Sequence, residues 1–173
     1  MPQKDMQSQP AAAKIQYKGF SFLITDRPFN FNIYTYVEEL KKHNVSAVVR
    51  VCEPTYNEEP LLNEKITVYD LVYEDGMYPP SYVVEDWFKL LKKHFQKNAD
   101  TCIAVHCVAG LGRAPVMVAL TLIELGMIYE DAVELIREKK RGAINQKQLR
   151  FLEKYRPKSR LKKNCHKNLC CVQ

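Results

Sequence analysis

Apolar residues recur along this chain with two different periods, and the alternation between them predicts the order of elements. Ile15–Tyr17 and Phe20–Thr25 read as a short opening hairpin, broken by Pro28. Asn32–His43 has helical spacing at Ile33, Tyr36, Val37 and Leu40. Val45–Val51 is a β-branched run of the kind buried at the centre of a sheet. From Cys52 to Glu64 the chain is polar with two prolines, which predicts a loop, and Ile66–Leu71 reads as the next strand. Gly76, Pro79 and Pro80 mark an irregular connection. Ser81 is the expected N-cap, with Glu85 close behind, of an amphipathic helix through about Gln96. Cys102–His106 is a short apolar strand. Ala114–Leu125 is a strongly apolar helix with Pro115 in its first turn and Gly126 at its end. Tyr129–Arg141 and Gln146–Tyr155 are two more amphipathic helices, and Pro157 ends regular structure. Strands alternating with helices indicate an α/β architecture.

Length and composition keep the picture to one domain. The chain has 173 residues, enough to bury a core, with 46% hydrophobic and 27% charged residues as in an ordinary globular enzyme. No apolar run approaches the roughly 20 residues that span a bilayer. The opening MPQKDMQSQPAAAK has no apolar stretch of a secretory signal, so residues 1–13 are expected to be a disordered lead-in and the chain cytosolic in topology. The formal charge of +6 is concentrated at one end: from Lys154 onward there are seven Lys or Arg residues and no Asp or Glu. The remainder is close to neutral, so a basic tail rather than a basic folded face is implied. Anionic membrane and nucleic acid are both candidates for such a tail. Beyond Tyr155 no Phe, Tyr or Trp interleaves with its charges, which argues against nucleic acid. The six cysteines, Cys52, Cys102, Cys107, Cys165, Cys170 and Cys171, fit no zinc framework, and no metal or cofactor is expected.

The densest chemistry lies at HCVAGLGR, residues 106–113. A strand that enters a glycine-containing loop and then opens a helix points successive backbone N–H groups into one concavity, and the helix N-terminus adds partial positive charge. Gly110 and Gly112 permit the tight backbone path. The amides of Val108, Ala109, Gly110, Leu111 and Gly112 would cradle a phosphate, and Arg113 can grip its oxygens with a planar, bidentate fork. Such a field favours a thiolate at Cys107, placed to attack phosphorus. The pattern is not a nucleotide-binding P-loop, because G-x-x-x-x-G-K-[ST] is absent. Apolar Val108, Ala109 and Leu111 flank a pocket that would not demand a single substrate. Expelling an alkoxide or phenoxide also needs a proton donor, and DLVYEDGMYPP supplies Asp70, Glu74 and Asp75. Asp70 closes a strand and is read as structural.

HCVAGLGR matches the C-x5-R signature of protein tyrosine phosphatases. With VVRVCEPTYN, KRGAINQKQL and FLEKYRPK it resembles the phosphatases of regenerating liver, the type IVA protein tyrosine phosphatases, from about Tyr17 to Gln173. The resemblance implies a dual-specificity-like domain over residues 14–157, with a central mixed sheet of about five strands flanked by helices and no metal. Cys107 is then the nucleophile and Arg113 the phosphate clamp. The position after the arginine, commonly Ser or Thr in the wider superfamily, is Ala114 here as in this family, which implies slow breakdown of the phosphocysteine. In the family the acid segment reads W-P-F-D-D-G. Leu71 and Val72 replace the Trp and Pro, and by position Glu74 is the favoured donor with Asp75 a close second. The resemblance also implies a reversible, inactivating disulfide between Cys52 and Cys107, while Cys102 is read as core. The terminal CCVQ fits C-a-a-X, with Cys170 the farnesyl acceptor and Lys158, Arg160, Lys162, Lys163 and Lys167 the second, basic membrane signal over residues 158–173. Implied partners are phosphotyrosine proteins, anionic lipid, magnesium transporters of the cyclin-M type held in the same pocket, and further copies of the chain. The implied location is the cytoplasmic face of plasma and endosomal membranes, or cytosol and nucleus without the prenyl group.

Overall fold

The computed structural model describes residues 12–161. Five strands form one mixed sheet: β1 (Ala13–Tyr17), β2 (Phe20–Thr25), β3 (Val45–Arg50), β4 (Thr67–Asp70) and β5 (Cys102–His106). Their order is β1-β2-β5-β3-β4, with β1 antiparallel to β2 and the other pairs parallel. The hairpin between β1 and β2 turns at Lys18 and Gly19, both at positive φ. β5 is buried at every position because it has a strand on each side and helices above and below.

Helices cover both faces. α1 (Ile33–Lys42) and α2 (Glu59–Asn63) pack on one side around Leu23, Leu40, Val48, Leu61 and Ile66. The larger core lies on the other side, under α3 (Ser81–Lys97), α4 (Arg113–Glu124), α5 (Tyr129–Lys139) and α6 (Gln146–Lys154). α4 is buried along its whole length, which accounts for its lack of a polar face. Its Thr121 hydroxyl accepts the indole N–H of Trp87 from α3 at 2.9 Å, so the largest core side chain is also hydrogen-bonded.

Several expectations change in detail. The segment predicted as loop from Cys52 to Glu64 contains α2, opened by Pro60 in its first turn and fixed by burial of Leu61. The N-cap of α3 is Pro80, extended at φ −60° and ψ 159°, and Ser81 is already helical. Val51 and Leu71 run past the ends of β3 and β4 and still bond across the sheet, Leu71 N–H to Arg50 O at 2.9 Å and Val51 N–H to His106 O at 3.0 Å.

The chain stays on the body beyond Pro157. Buried Glu124 accepts the backbone N–H of Lys158 at 3.1 Å and of Arg160 at 2.5 Å, and the Tyr155 hydroxyl at 2.6 Å. The Arg160 guanidinium pairs with Glu85 and Glu124, and Leu161 is buried. One of the cations assigned to the basic tail is thereby occupied within the fold. Lys162, Lys163, Lys167, Cys165, Cys170 and Cys171 lie outside the described residues.

Candidate active site

β5 ends between β2 and β3 at the carboxyl edge of the parallel strands, where open α/β sheets form their ligand crevices. His106, its last residue, delivers Cys107 to that edge, and the chain then loops through Gly112 before α4 opens at Arg113. Gly110 has φ +62°, and a Cβ there would stand 2.8 Å from Thr25 O, so both conformation and space require glycine. The loop is pinned by Arg27 N–H to Val108 O at 3.2 Å and Ile144 N–H to Leu111 O at 2.8 Å. Asp26 beside it pairs with buried Lys140 at 3.2 Å. Among the described residues, none of the backbone N–H groups from Val108 to Arg113 donates to a protein acceptor. Six consecutive donors are thus unspent around the cysteine, the arrangement an anion needs.

Cys107 is buried at 3% exposure and stands over His106, which is wholly buried. The imidazole is clamped from two sides. Its Nδ1 lies 3.2 Å from Cys107 O and its Nε2 lies 2.7 Å from the Tyr56 hydroxyl. A carbonyl can only accept, so Nδ1 carries the proton and Nε2 accepts from Tyr56. Burial holds the His106 pKa down to about 4, with the nearby Arg50 and Arg27 charges also opposing protonation. The ring is therefore neutral, and it acts as a post under the Cys107 carbonyl.

Cys52, also buried, places its sulfur 3.8 Å from the same Nδ1. Burial pushes the Cys52 thiol up; Arg113 pulls against this, and the neighbouring Cys107 adds to it. The structure thus brings Cys52 and Cys107 around one imidazole, both as free thiols. Cys102 is buried in β5, away from this cluster.

Arg113 is buried at 6% exposure at the start of α4. Its Nη1 donates to Tyr73 O at 3.1 Å, and the Tyr73 hydroxyl donates back to Arg113 O at 2.7 Å. This reciprocal pair ties the acid segment to the catalytic loop. Of the two expected acids, Asp75 is the one near the arginine: its Oδ1 lies 3.3 Å from Arg113 Nε, outside hydrogen-bonding alignment. Glu74 is exposed and makes no polar side-chain contact among the described residues. Asp70 grips Arg50 through Nε at 2.6 Å and Nη2 at 2.8 Å, a structural role. Ala114 is fully buried behind Arg113 and offers the site only a methyl group. Val108 and Leu111 are half exposed on the loop's outer side.

Sequence reasoning did not assign His106, Tyr56, Tyr73, Asn145 or Gln148 to the site. Tyr56 and Tyr73 act through partners 50 and 40 residues away, which no local pattern reports. Asn145 and Gln148 did carry a signal, the N-x-x-Q spacing of a capping box. Among the described residues no group of three or more His, Cys, Asp or Glu could hold a metal ion.

Comparisons with known proteins give the family and the fold. Residues 26–127 match the family described as "Tc-R-P: Polymorphic toxin system, DSP-PTPase phosphatase". The chain is 63% identical to the PRL-1 phosphatase of Drosophila melanogaster, over 100% of this chain and 98% of that one. It is 55% identical to the human protein tyrosine phosphatase type IVA 3, over 95% of this chain and 97% of that one. A putative protein tyrosine phosphatase from Leishmania major superposes with a TM-score of 0.76 at 41% identity, covering 84% of this chain and 98% of that one. Kinase associated phosphatase superposes at 0.65 with 20% identity, a likeness of fold alone.

Proposed function

The chain belongs to the type IVA protein tyrosine phosphatases, which are cysteine-based enzymes, and from that premise we propose that Cys107 is the nucleophile toward phosphotyrosine in proteins. The observation that carries the assignment is the run of six unspent backbone donors, Val108 to Arg113, that directly follows Cys107. Those donors and the Arg113 fork hold the three non-bridging oxygens of the phosphate. The Cys107 thiolate attacks phosphorus, the P–O bond to the tyrosine breaks, and the phenoxide takes a proton from an acid on the loop above. We assign that proton to Asp75, because Asp75 lies 3.3 Å from Arg113 whereas Glu74, equally exposed, makes no polar side-chain contact among the described residues. Water then attacks the phosphocysteine, Asp75 takes the water's proton, and the Cys107 thiolate leaves. Ala114 offers that thiolate no hydroxyl, so the second step is the slow one. Trapping of phosphocysteine with wild type, Cys107→Ser, Asp75→Ala and Glu74→Ala tests the scheme. Cys107→Ser should form none and Asp75→Ala should form it slowly. A normal rate in Asp75→Ala together with a slow one in Glu74→Ala would transfer the acid role to Glu74.

Two regulatory features complete the proposal. Peroxide converts the Cys107 thiolate to a sulfenic acid, and the Cys52 thiol condenses with it, expelling water and leaving a Cys52–Cys107 disulfide that thiol reductants reopen. Support comes from His106 Nδ1, which meets both the Cys52 sulfur and the Cys107 backbone carbonyl, and from the influence of Cys107 on the Cys52 thiol. Absence of that cross-link in non-reducing peptide maps after mild peroxide would remove this feature. Farnesylation of Cys170, with the basic tail, anchors the chain to anionic membrane; support comes from the CCVQ ending and the tail's charge. Deleting the last four residues should release the protein from the membrane fraction, and unchanged fractionation refutes the anchor.

A further inference from the structure

The acid segment from Tyr73 to Pro80 is gripped by the first turn of α6, through the same residues that cap that helix. Gln148 N–H donates to Asn145 Oδ1 at 2.9 Å, and Asn145 N–H donates to Gln148 Oε1 at 3.0 Å. This reciprocal cap uses the oxygen of each side-chain amide and leaves both NH2 groups unspent. The two NH2 groups meet consecutive carbonyls of the acid segment: Asn145 Nδ2 donates to Gly76 O and Gln148 Nε2 to Met77 O, each at 3.0 Å. The orientation of both amides is forced, since each faces one backbone N–H and one backbone carbonyl. Gln148 is wholly buried and also touches the catalytic loop, where a Cβ on Gly112 would stand 3.3 Å from its Nε2. Further along, Tyr78 stacks on Phe151 of α6, with ring centroids 4.6 Å apart and planes within 4°.

We propose that Asn145 and Gln148 are positioning residues, a capping box that doubles as a latch and holds the acid loop over the catalytic loop before substrate arrives. The latch rests on the reading of Asp75 as proton donor, which it supplies with a fixed backbone one residue before Gly76. Its consequence is an acid loop that stays closed in the free enzyme instead of swinging in when substrate binds. Asn145 and Gln148 touch neither substrate nor reacting atoms; their effect passes through Gly76 and Met77 to Asp75.

Isosteric variants separate the latch from the cap. Asn145→Asp and Gln148→Glu each keep the oxygen that accepts the backbone N–H, and both new residues are good in a capping box. Each replaces the donor facing the acid loop with an oxygen that repels a carbonyl. The experiment is single-turnover phosphorylation of Cys107 in the full chain, using phosphotyrosine peptide and a nitrophenyl phosphate. Tyrosine, with a phenol pKa of about 10, needs the acid, and the far more acidic nitrophenol needs it much less. We expect the double variant to slow the tyrosine substrate about tenfold more than the nitrophenyl one, in the same direction as Asp75→Ala and by less. Its denaturation midpoint should fall, because Gln148→Glu buries a carboxylate against a carbonyl, so the latch is read from the ratio of the two substrates within the folded variant. If the double variant does not fold, Phe151→Leu, which removes the ring under Tyr78, must shift the ratio the same way. A wild-type ratio in the latch variant alongside a shifted ratio in Asp75→Ala overturns the latch and leaves the donor standing. A wild-type ratio in Asp75→Ala overturns both.

Discussion

Acidification should loosen this fold through one buried ring before it reaches most carboxylates. His106 has a folded pKa of about 4, against about 6.5 in an unfolded chain, because burial penalises its charged form. A depressed folded pKa contributes stability that is complete above pH 6.5 and is lost as pH falls toward 4. The shift of about 2.5 units corresponds to about 3.4 kcal/mol in full. Linkage gives a loss of about 1.4 kcal/mol by pH 5.5 and about 2.6 kcal/mol by pH 4.5. The ring is wholly buried, so solvent screening does not reduce these values much. His106→Asn removes the titrating group and is destabilising near neutrality, since the Cys107 carbonyl and the Tyr56 hydroxyl lose their shared partner. Urea unfolding of wild type and His106→Asn at pH 7.5, 5.5 and 4.5 should show their stability difference narrowing by those two amounts. The imidazole proton resonances of His106 should not titrate above pH 5. Titration near pH 6.5, or a stability difference constant with pH, would refute the reasoning.

Three other substitutions probe different parts of the argument. Gly110→Ala places a methyl group 2.8 Å from Thr25 O at φ +62°; it should cost about 1–3 kcal/mol and slow phosphocysteine formation, both read from denaturation and single-turnover kinetics. Ala114→Ser supplies a hydroxyl beside the departing thiolate. A hydrogen bond to a charged group is worth about 1.5–3 kcal/mol, so phosphocysteine hydrolysis should accelerate about tenfold or more with formation little changed, and an unchanged second step would refute the brake. Asp70→Asn breaks the fork on buried Arg50; it should destabilise by about 2 kcal/mol and preserve the leaving-group dependence of phosphorylation, whereas a changed dependence would make Asp70 the acid.

Most of the fold was legible because its elements are stated by local pattern. The β-branched run at Val45 and the apolar strand at Cys102 are central strands, and a helix with no polar face at Ala114 is the fully buried α4. What escaped was context. α2 is five residues long, and only the burial of Leu61 against α1 and β4 separates it from a polar loop. Ser81 has the chemistry of an N-cap, but Pro80 fixes the extended geometry one residue earlier, so the cap falls on the proline. Arg160 looks like one more cation of a basic tail until the fold presents the buried carboxylate of Glu124 to it.

The two halves of the site differ in the same way, and the difference is physical. The proposed phosphate cradle is made of backbone donors in six consecutive residues, Val108 to Arg113, so its sequence almost is its geometry; Cys107, Gly110 and Arg113 need only the strand before and the helix after. The acid half is made of contacts between segments about 70 residues apart, Gly76 and Met77 against Asn145 and Gln148. Spacing within EDG could name two acids but could not say which one turns toward Arg113. That turn is set by Tyr73 on one side and by α6 on the other. Substitution of Leu71 and Val72 for the family's Trp and Pro is therefore tolerable if those two anchors, rather than the tryptophan, hold the loop. Under the proposed scheme the chain pairs a pre-closed acid loop, which would speed formation of the phosphocysteine, with Ala114, which would slow its loss. Both features act in one direction, toward an enzyme that spends most of each cycle phosphorylated.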